Sequence, residues 1–168
     1  MTDRYVHAIW CDDIRLEVGN KPSFMGVFTG GILLPALPTV LPRLAVYIWV
    51  NTPVERPFKS LCIRITRDDG FLLMEVRPES PPAQSDVALH SRPDSTRQVV
   101  MAGFSLGGVE VPVGCKYFSV FVDTESETLE GPKLRIDVNP RGFAEAFRGV
   151  VGGTASNAES PHSESVQD

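Results

Sequence analysis

Apolar and polar residues alternate along most of this chain, which is the pattern of β-strands with one buried face. The four clearest alternating runs are Leu44–Val50, Leu61–Thr66, Tyr117–Val122 and Lys133–Val138. Further candidate strands are Tyr5–Trp10, Ser23–Thr29, Phe71–Val76 and Arg97–Leu106, and Val109–Val113 would add a short one. The pattern therefore predicts eight strands, or nine with the last, and almost no helix.

The segments between these runs are rich in turn-forming residues. Asp69-Gly70 within Arg67–Gly70 is a strong hairpin signal, and Gly107-Gly108 predicts a tight bend or bulge. Prolines in Pro35–Pro42 exclude a helix or a central strand, so we expect an extended crossing between sheets. Pro78–Pro93 is a long polar connection, and Glu125–Pro132 is an acidic loop. These features favour an all-β fold, an antiparallel two-sheet β-sandwich, with a barrel as the alternative.

The C-terminal part of the chain has a different character. Asn139 could cap a short helix in which Phe143 and Phe147 share one face. Residues 149–168 contain few apolar side chains and carry three negative charges. Such a composition cannot offset the entropy of ordering, so this tail is predicted to be disordered. The predicted organisation is a β-sandwich domain over residues 1–148 and an acidic tail over 149–168.

Composition narrows the classes of function. The chain has 168 residues and a net charge of −5, which argues against nucleic-acid binding. The chain has no run of 18 apolar residues, so no membrane span is predicted, and we expect no secretory signal at the N-terminus. Cys11, Cys62 and Cys115 are few and widely spaced. They predict neither a disulfide framework nor a zinc site, and a reduced, cytoplasmic setting fits best.

A search for catalytic motifs gives no catalytic residue and no cofactor. Gly103–Gly107 matches Gly-x-Ser-x-Gly, but the motif requires a strand–turn–helix context and a downstream histidine. The one histidine that follows is His162, in the predicted tail, while His7 and His90 lack the spacing of metal ligands. The sequence therefore predicts a non-enzymatic protein without a metal site.

Loop carboxylates leave one alternative open. They are Asp12, Asp13, Asp68, Asp69, Asp123, Glu125, Glu127 and Glu130. Loops gather at the ends of a sandwich, and calcium requires six to eight oxygen ligands. A calcium-dependent binder, or an enzyme using paired carboxylates, is therefore an alternative hypothesis. The competing interpretation is that these residues are solvated turns.

Four aromatic residues are candidates for a contact surface. Within Leu44–Val50, Tyr47 and Trp49 lie on the face opposite the positions predicted to be buried. Tyr117 and Phe121 lie on the corresponding face of another strand. Exposed tyrosine and tryptophan side chains dominate the energetics of protein interfaces. Alternatively, the Pro35–Pro42 crossing or the terminal helix covers them.

The N-terminal stretch carries a signature of its own. Cys11-Asp12-Asp13 is followed by Gly19-Asn20-Lys21 and then by Gly26-Val27-Phe28. This arrangement resembles an uncharacterised family of bacterial and phage proteins, a domain of unknown function, over about the first 65 residues. The resemblance implies a bacterial or phage origin and no activity.

The signature also has a structural interpretation. Asp12 or Asp13 could accept backbone hydrogen bonds in the loop after Cys11, and Arg15 or Lys21 could pair with them. A structural role is favoured over binding for these five residues. The leading hypothesis is a non-catalytic β-sandwich module that binds an unknown protein partner. The first alternative is a phage or prophage structural or accessory protein that self-associates.

Overall fold

The computed structural model describes residues 3–19, 21–78 and 94–139, and none of these residues is helical. The strands are β1 (Tyr5–Cys11), β2 (Asp13–Glu17), β3 (Lys21–Met25), β4 (Gly31–Leu34), β5 (Thr39–Pro53), β6 (Leu61–Arg67), β7 (Leu72–Val76), β8 (Arg97–Val111), β9 (Tyr117–Thr124), β10 (Thr128–Glu130) and β11 (Leu134–Val138). The prediction of an all-β fold is confirmed. Within the described part of the chain, no helix could cross a membrane.

The strands form three sheets. A three-stranded antiparallel sheet has the order β1-β5-β8, and a six-stranded sheet has the order β4-β11-β9-β6-β7 with β10 beside β9. The hairpin β2–β3 forms a separate two-stranded sheet. The prediction of purely antiparallel pairing is wrong, because β4 and β11 pair in parallel. These two strands are far apart in the chain, so no hairpin dictates their relative direction.

One hydrophobic core joins the two larger sheets. Its members include Val46 and Ile48 from β5, and Phe118 and Val120 from β9, all fully buried. Trp10 of β1 completes the contact between sheets, since its ring lies 6.4 Å from that of Phe118. Its indole Nε1 also donates a hydrogen bond of 3.0 Å to the carbonyl oxygen of Pro132. This polar atom is thereby satisfied inside the core.

Strand β5 extends further than the proline pattern predicted. Pro42 lies within β5, so the expectation that Pro35–Pro42 contains no central strand is wrong at its C-terminal end. Strand β1 pairs with β5 only over Ala45–Asn51, and Pro42 lies beyond that range. The missing N–H of Pro42 therefore interrupts no pairing with β1. The crossing itself is confirmed, because the chain passes from β4 in one sheet to β5 in the other.

At one point along the paired strands β5 and β8, the side chains that face the core shift by one position, so that the regular alternation is broken in both strands. Leu41 and Leu44 are both in the core although three positions separate them, and so are Leu106 and Val109 on β8. The shift occurs where residues 42–43 of β5 run beside residues 107–108 of β8. Gly108 has a φ of +63° there, which a residue with a side chain rarely adopts. The glycine pair thus bends the sheet without ending the strand, and Val109 continues β8 instead of beginning a ninth strand.

Three short strands were missed by the alternation pattern. β2 and β4 lie in segments without a long apolar run, and β10 lies in the predicted acidic loop. The hairpin predicted at Asp69-Gly70 is present between β6 and β7, with Gly70 at a φ of +85°. The predicted helix after Asn139, the tail over 149–168 and most of the Pro78–Pro93 connection lie outside the described residues.

Candidate functional site

The outer face of the three-stranded sheet, opposite the core, carries two of the four predicted contact residues. In the strand register, Trp49 of β5 lies between His7 of β1 and Met101 of β8. Two residues further along β5, Asn51 lies between Tyr5 of β1 and Val99 of β8. In the other direction, Tyr47 lies between Ile9 and Gly103. The prediction that Tyr47 and Trp49 point away from the core is confirmed.

The hairpin β2–β3 covers part of this outer face. Phe24 of β3 packs edge-on against Tyr47 and Trp49, with ring centroids 5.3 and 6.0 Å away. The rings of Tyr47 and Trp49 are 4.7 Å apart. This cover was predicted to come from Pro35–Pro42 or a terminal helix, whereas the described contacts come from β3. Tyr47 and Trp49 are consequently half-buried rather than exposed.

Gly103 allows the Tyr47 ring to lie close to strand β8. A Cβ atom at Gly103 would be 3.0 Å from Cδ2 of Tyr47 and 3.5 Å from Cδ1 of Ile14. The 3.0 Å distance is too short for an unstrained carbon–carbon contact, whereas 3.5 Å is an ordinary contact. Gly103 of the Gly-x-Ser-x-Gly match thus has a packing role within strand β8, and its context is not the strand–turn–helix of a nucleophile.

Apolar side chains remain exposed around Trp49. Met101 is 54% exposed, Tyr5 41% and Val99 40%. Together with Trp49 and His7 these residues form a continuous patch, which we name the Trp49 surface. The ring of Tyr5 contacts His7, with centroids 5.1 Å apart, and the Arg97 guanidinium lies 4.7 Å from the Tyr5 ring centroid. The Trp49 surface thus combines aromatic, aliphatic and cationic groups.

Tyr117 and Phe121 lie on the six-stranded sheet, so they do not join the Trp49 surface. Both belong to β9 and are half-buried. The Lys133 ammonium lies 4.6 Å from the Tyr117 ring centroid, and the Arg64 guanidinium 5.5 Å from that of Phe121. Arg64 also forms a bidentate pair with Asp123 at 2.6 and 2.9 Å. Cations therefore already occupy the faces of these two rings.

Three of the five signature residues, Cys11, Asp13 and Arg15, lie close together at and just after the end of β1. Cys11 is buried, and its thiol donates a 3.4 Å hydrogen bond to the carbonyl oxygen of Asp13. The Asp13 carboxylate accepts a hydrogen bond from the Ile14 N–H and pairs with Arg43 at 2.9 Å and Arg15 at 3.7 Å. Arg43 was not predicted, because only the β1–β5 pairing brings it near.

The other two signature residues have distinct positions. Asp12 packs against Gly26, which has a φ of +62° and no space for a Cβ. Lys21 opposes Glu17 in the β2–β3 hairpin. These contacts are consistent with a structural role for the signature, which stays a prediction.

The described cavities are small and open. One of about 270 Å³ is lined by Asp13, Arg43 and residues 105–107. A second, of about 370 Å³, lies between the edge strands β7 and β8. Neither reaches the middle of the range for small-molecule sites, roughly 300–1,000 Å³. The second cavity shows that β7 and β8 border the same open side of the fold.

Basic side chains pair with most of the loop carboxylates. Asp69 pairs with Arg67, Glu125 with Arg4, Glu127 with Arg56, and Glu130 with Lys133. Across residues 3–19, 21–78 and 94–139, no three His, Cys, Asp or Glu side chains are grouped to hold a metal. These carboxylates therefore act as partners of arginine and lysine in this structure.

All three cysteines are buried free thiols. Desolvation raises the pKa of Cys115 to about 11, and a hydrogen bond with Asp68 adds to this effect. A thiol with such a pKa is a poor nucleophile near neutral pH.

Arg4 is a buried cation that the sequence analysis missed. Its side chain is 0% exposed and pairs with Glu125 at 2.7 Å. Its Nε donates to Oγ1 of Thr52 at 3.0 Å, and its Nη2 donates to the carbonyl oxygens of Arg56 and Pro57. The guanidinium also lies 4.7 Å from the ring centroid of Phe58. We call this group the Arg4 cluster. An arginine before a strand gives no pattern that would reveal such partners.

The Arg4 cluster predicts an acid-sensitive stability. Desolvation opposes ionisation of Glu125, but hydrogen bonds from Arg4 and from backbone N–H groups outweigh it and lower the pKa to about 2. Because the pKa of Glu125 is lower in the folded state, this group stabilises the fold at pH values above its ordinary pKa of 4.5. This contribution disappears as the pH falls toward 2. We expect wild type to lose about 2 kcal/mol from this group over that interval, after allowance for solvent screening.

Unfolding in urea at pH 5 and at pH 2.5, followed by circular dichroism, measures the effect. The variant Glu125→Gln should show the smaller loss of stability between the two pH values. An equal loss in both proteins would show that Glu125 does not cause the acid sensitivity.

Comparisons with known proteins assign no family. No protein-family model matches the chain, and no curated protein matches it. The resemblance carried by the Cys-Asp-Asp signature therefore stays a prediction.

Proposed function

We propose that this protein is a non-catalytic β-sandwich module that binds another protein through the Trp49 surface. The proposal rests on the row of His7, Trp49 and Met101, which crosses three strands. Exposed Tyr5 and Val99 lie next to this row. Tyrosine, tryptophan and methionine are enriched in interface centres. The surrounding sheet holds these side chains on a rigid surface, which lowers the entropic cost of binding.

The half-burial of Tyr47 and Trp49 decides how the proposal is tested. Charges at these positions would disturb packing against Phe24 as well as binding. Tyr5→Glu and Met101→Lys are better variants, because both side chains are exposed and lie on opposite sides of Trp49. Each should weaken capture of the partner at least tenfold while circular dichroism stays unchanged.

The experiment captures proteins from a lysate of the source organism on the immobilised full chain. Val138→Glu is the matched control, since Val138 is an exposed apolar residue (47%) on the other sheet. A partner that wild type and Val138→Glu capture, and both surface variants lose, supports the proposal. Equal capture by all four proteins would contradict it.

A further inference from the structure

Among the strands that the structure describes, β8 is an edge of the three-stranded sheet. Among the described strands it pairs only with β5, so every second residue directs its N–H and C=O groups away from the sheet. β8 has 15 residues and spans about 50 Å at 3.4 Å per residue. Such an edge is a template for another strand.

Protection of the β8 edge is confined to its ends, where Arg97 and Glu110 lie and the Glu110 carbonyl accepts a hydrogen bond from Arg67. Residues 98–109 contain no charged side chain and no proline, whereas natural edges commonly carry lysine, proline or inward-pointing charge. Two other edges carry protection, and the β4 edge of the six-stranded sheet has only 4 residues. β7 carries Glu75, and the Trp10 carbonyl on β1 accepts a hydrogen bond from Phe28. β8 is therefore the edge best suited to accept a strand.

We propose that β8 pairs antiparallel with β8 of a second copy of this chain, about a two-fold axis at Ala102. In this register each Ala102 opposes its own counterpart. Met101 then opposes Gly103, and Val99 opposes Ser105, across the axis on the outer face. Met101 and Val99 thus lie beside residues with small side chains, while Tyr47 and Ile14 of the same copy lie over Gly103.

The inward-facing row of this register is also complementary. Val100 opposes Phe104 on each side of the axis, and both are half-buried side chains packed against the core. Adding the second strand would complete their burial. A pairing of β-branched and aromatic residues is favourable in antiparallel sheets.

Charge repulsion does not oppose pairing with a second copy. No charged residue of the 98–109 segment meets a like charge, because the segment has none. Arg97, at the end of β8, opposes Gly107 and so avoids the Arg97 of the other copy. A symmetric pair also satisfies the backbone groups of both edges at once, which is typical of isologous interfaces.

The dimer would join two three-stranded sheets into one six-stranded sheet. It would place the two Trp49 residues about 16 Å apart, three strand spacings across the sheet and two residues along it, on one continuous face. The proposal does not rest on partner binding at the Trp49 surface. Tyr5→Glu, on the far strand β1, should weaken capture at least tenfold without changing the dimer.

The first measurement is the mass of the full chain by sedimentation equilibrium from 1 to 100 µM. We expect a mass twice the 18.4 kDa of one chain at the upper end. A monomer throughout this range would overturn the proposal. Hydrogen exchange would then show whether another segment of the same chain protects residues 98–106.

The second measurement tests the register. In Ala102→Cys the two new cysteines would face each other at an antiparallel Cα separation of about 4.5–5.5 Å, which suits a disulfide. Glu110→Cys is the control, being exposed on the same strand but distant from the axis. The native thiols are buried and give little background. Rapid oxidation of Ala102→Cys alone to a covalent dimer supports the register, and a dimer that Ala102→Cys fails to cross-link refutes it.

Discussion

Replacing Arg4 with methionine is expected to lower the free energy of unfolding by about 3–5 kcal/mol. Methionine keeps much of the apolar volume but removes every donor of the Arg4 cluster. The carbonyl oxygen of Pro57 loses its guanidinium partner and the Glu125 carboxylate loses its cation, whereas the Thr52 hydroxyl still donates to the Arg56 carbonyl. Leaving such groups without partners costs far more than the net gain from forming one hydrogen bond. Urea unfolding followed by circular dichroism measures the loss.

A neighbouring arginine provides the control. Arg56 pairs with Glu127 at 3.1 Å, but its side chain is 45% exposed. Arg56→Met should cost less than about 1 kcal/mol, as exposed ion pairs do. Arg4→Lys should be intermediate, because an ammonium keeps the charge but cannot reproduce the planar fork. If Arg4→Met and Arg56→Met cost the same, burial of Arg4 has no energetic importance.

The second large effect is expected from Phe118→Ala, about 3–5 kcal/mol. Phe118 is fully buried on β9 and lies against Trp10 of the opposite sheet. Removing its ring leaves a cavity between the two sheets, where close packing limits relaxation. The same unfolding assay measures this change.

Phe121→Ala is the matched control for Phe118→Ala. Both phenylalanines belong to β9, but Phe121 is half-buried on the outer face and contacts Arg64. We expect a loss of about 1 kcal/mol there, since less apolar area leaves water. A similar cost at both positions would contradict the placement of the core between the sheets.

Alternation predicted the long strands because each has one face in a single core. Leu44–Val50 and Tyr117–Val122 are examples in which the buried face was assigned correctly. Segments without that contrast were missed, such as β2, where Leu16 is 73% exposed. Pro42 was misjudged because its tolerance depends on how far the neighbouring strand β1 extends. Single-residue patterns do not contain that information.

The candidate site was predicted only in part. Alternation placed Tyr47 and Trp49 on the outward face, but strand order separates them from Tyr117 and Phe121. The cover by Phe24 depends on how the β2–β3 hairpin lies on another sheet, and Met101 joins the surface through cross-strand register. Both are tertiary relationships between distant segments, which periodicity along one segment does not specify.

The Arg4 cluster also fixes an order of events during synthesis and folding. Arg4 contacts Thr52, which lies 48 positions later, and Ser126, which lies 122 positions later. The cluster cannot close until the ribosome has released the β9–β10 turn, however early the β1–β5 ladder forms. In a protein with such distant contacts, the loss of entropy on loop closure comes before the contacts contribute any stabilisation. The start of the described chain therefore reaches its final contacts only after Ser126 has been synthesised, and Arg4 joins that start to two distant segments of the body.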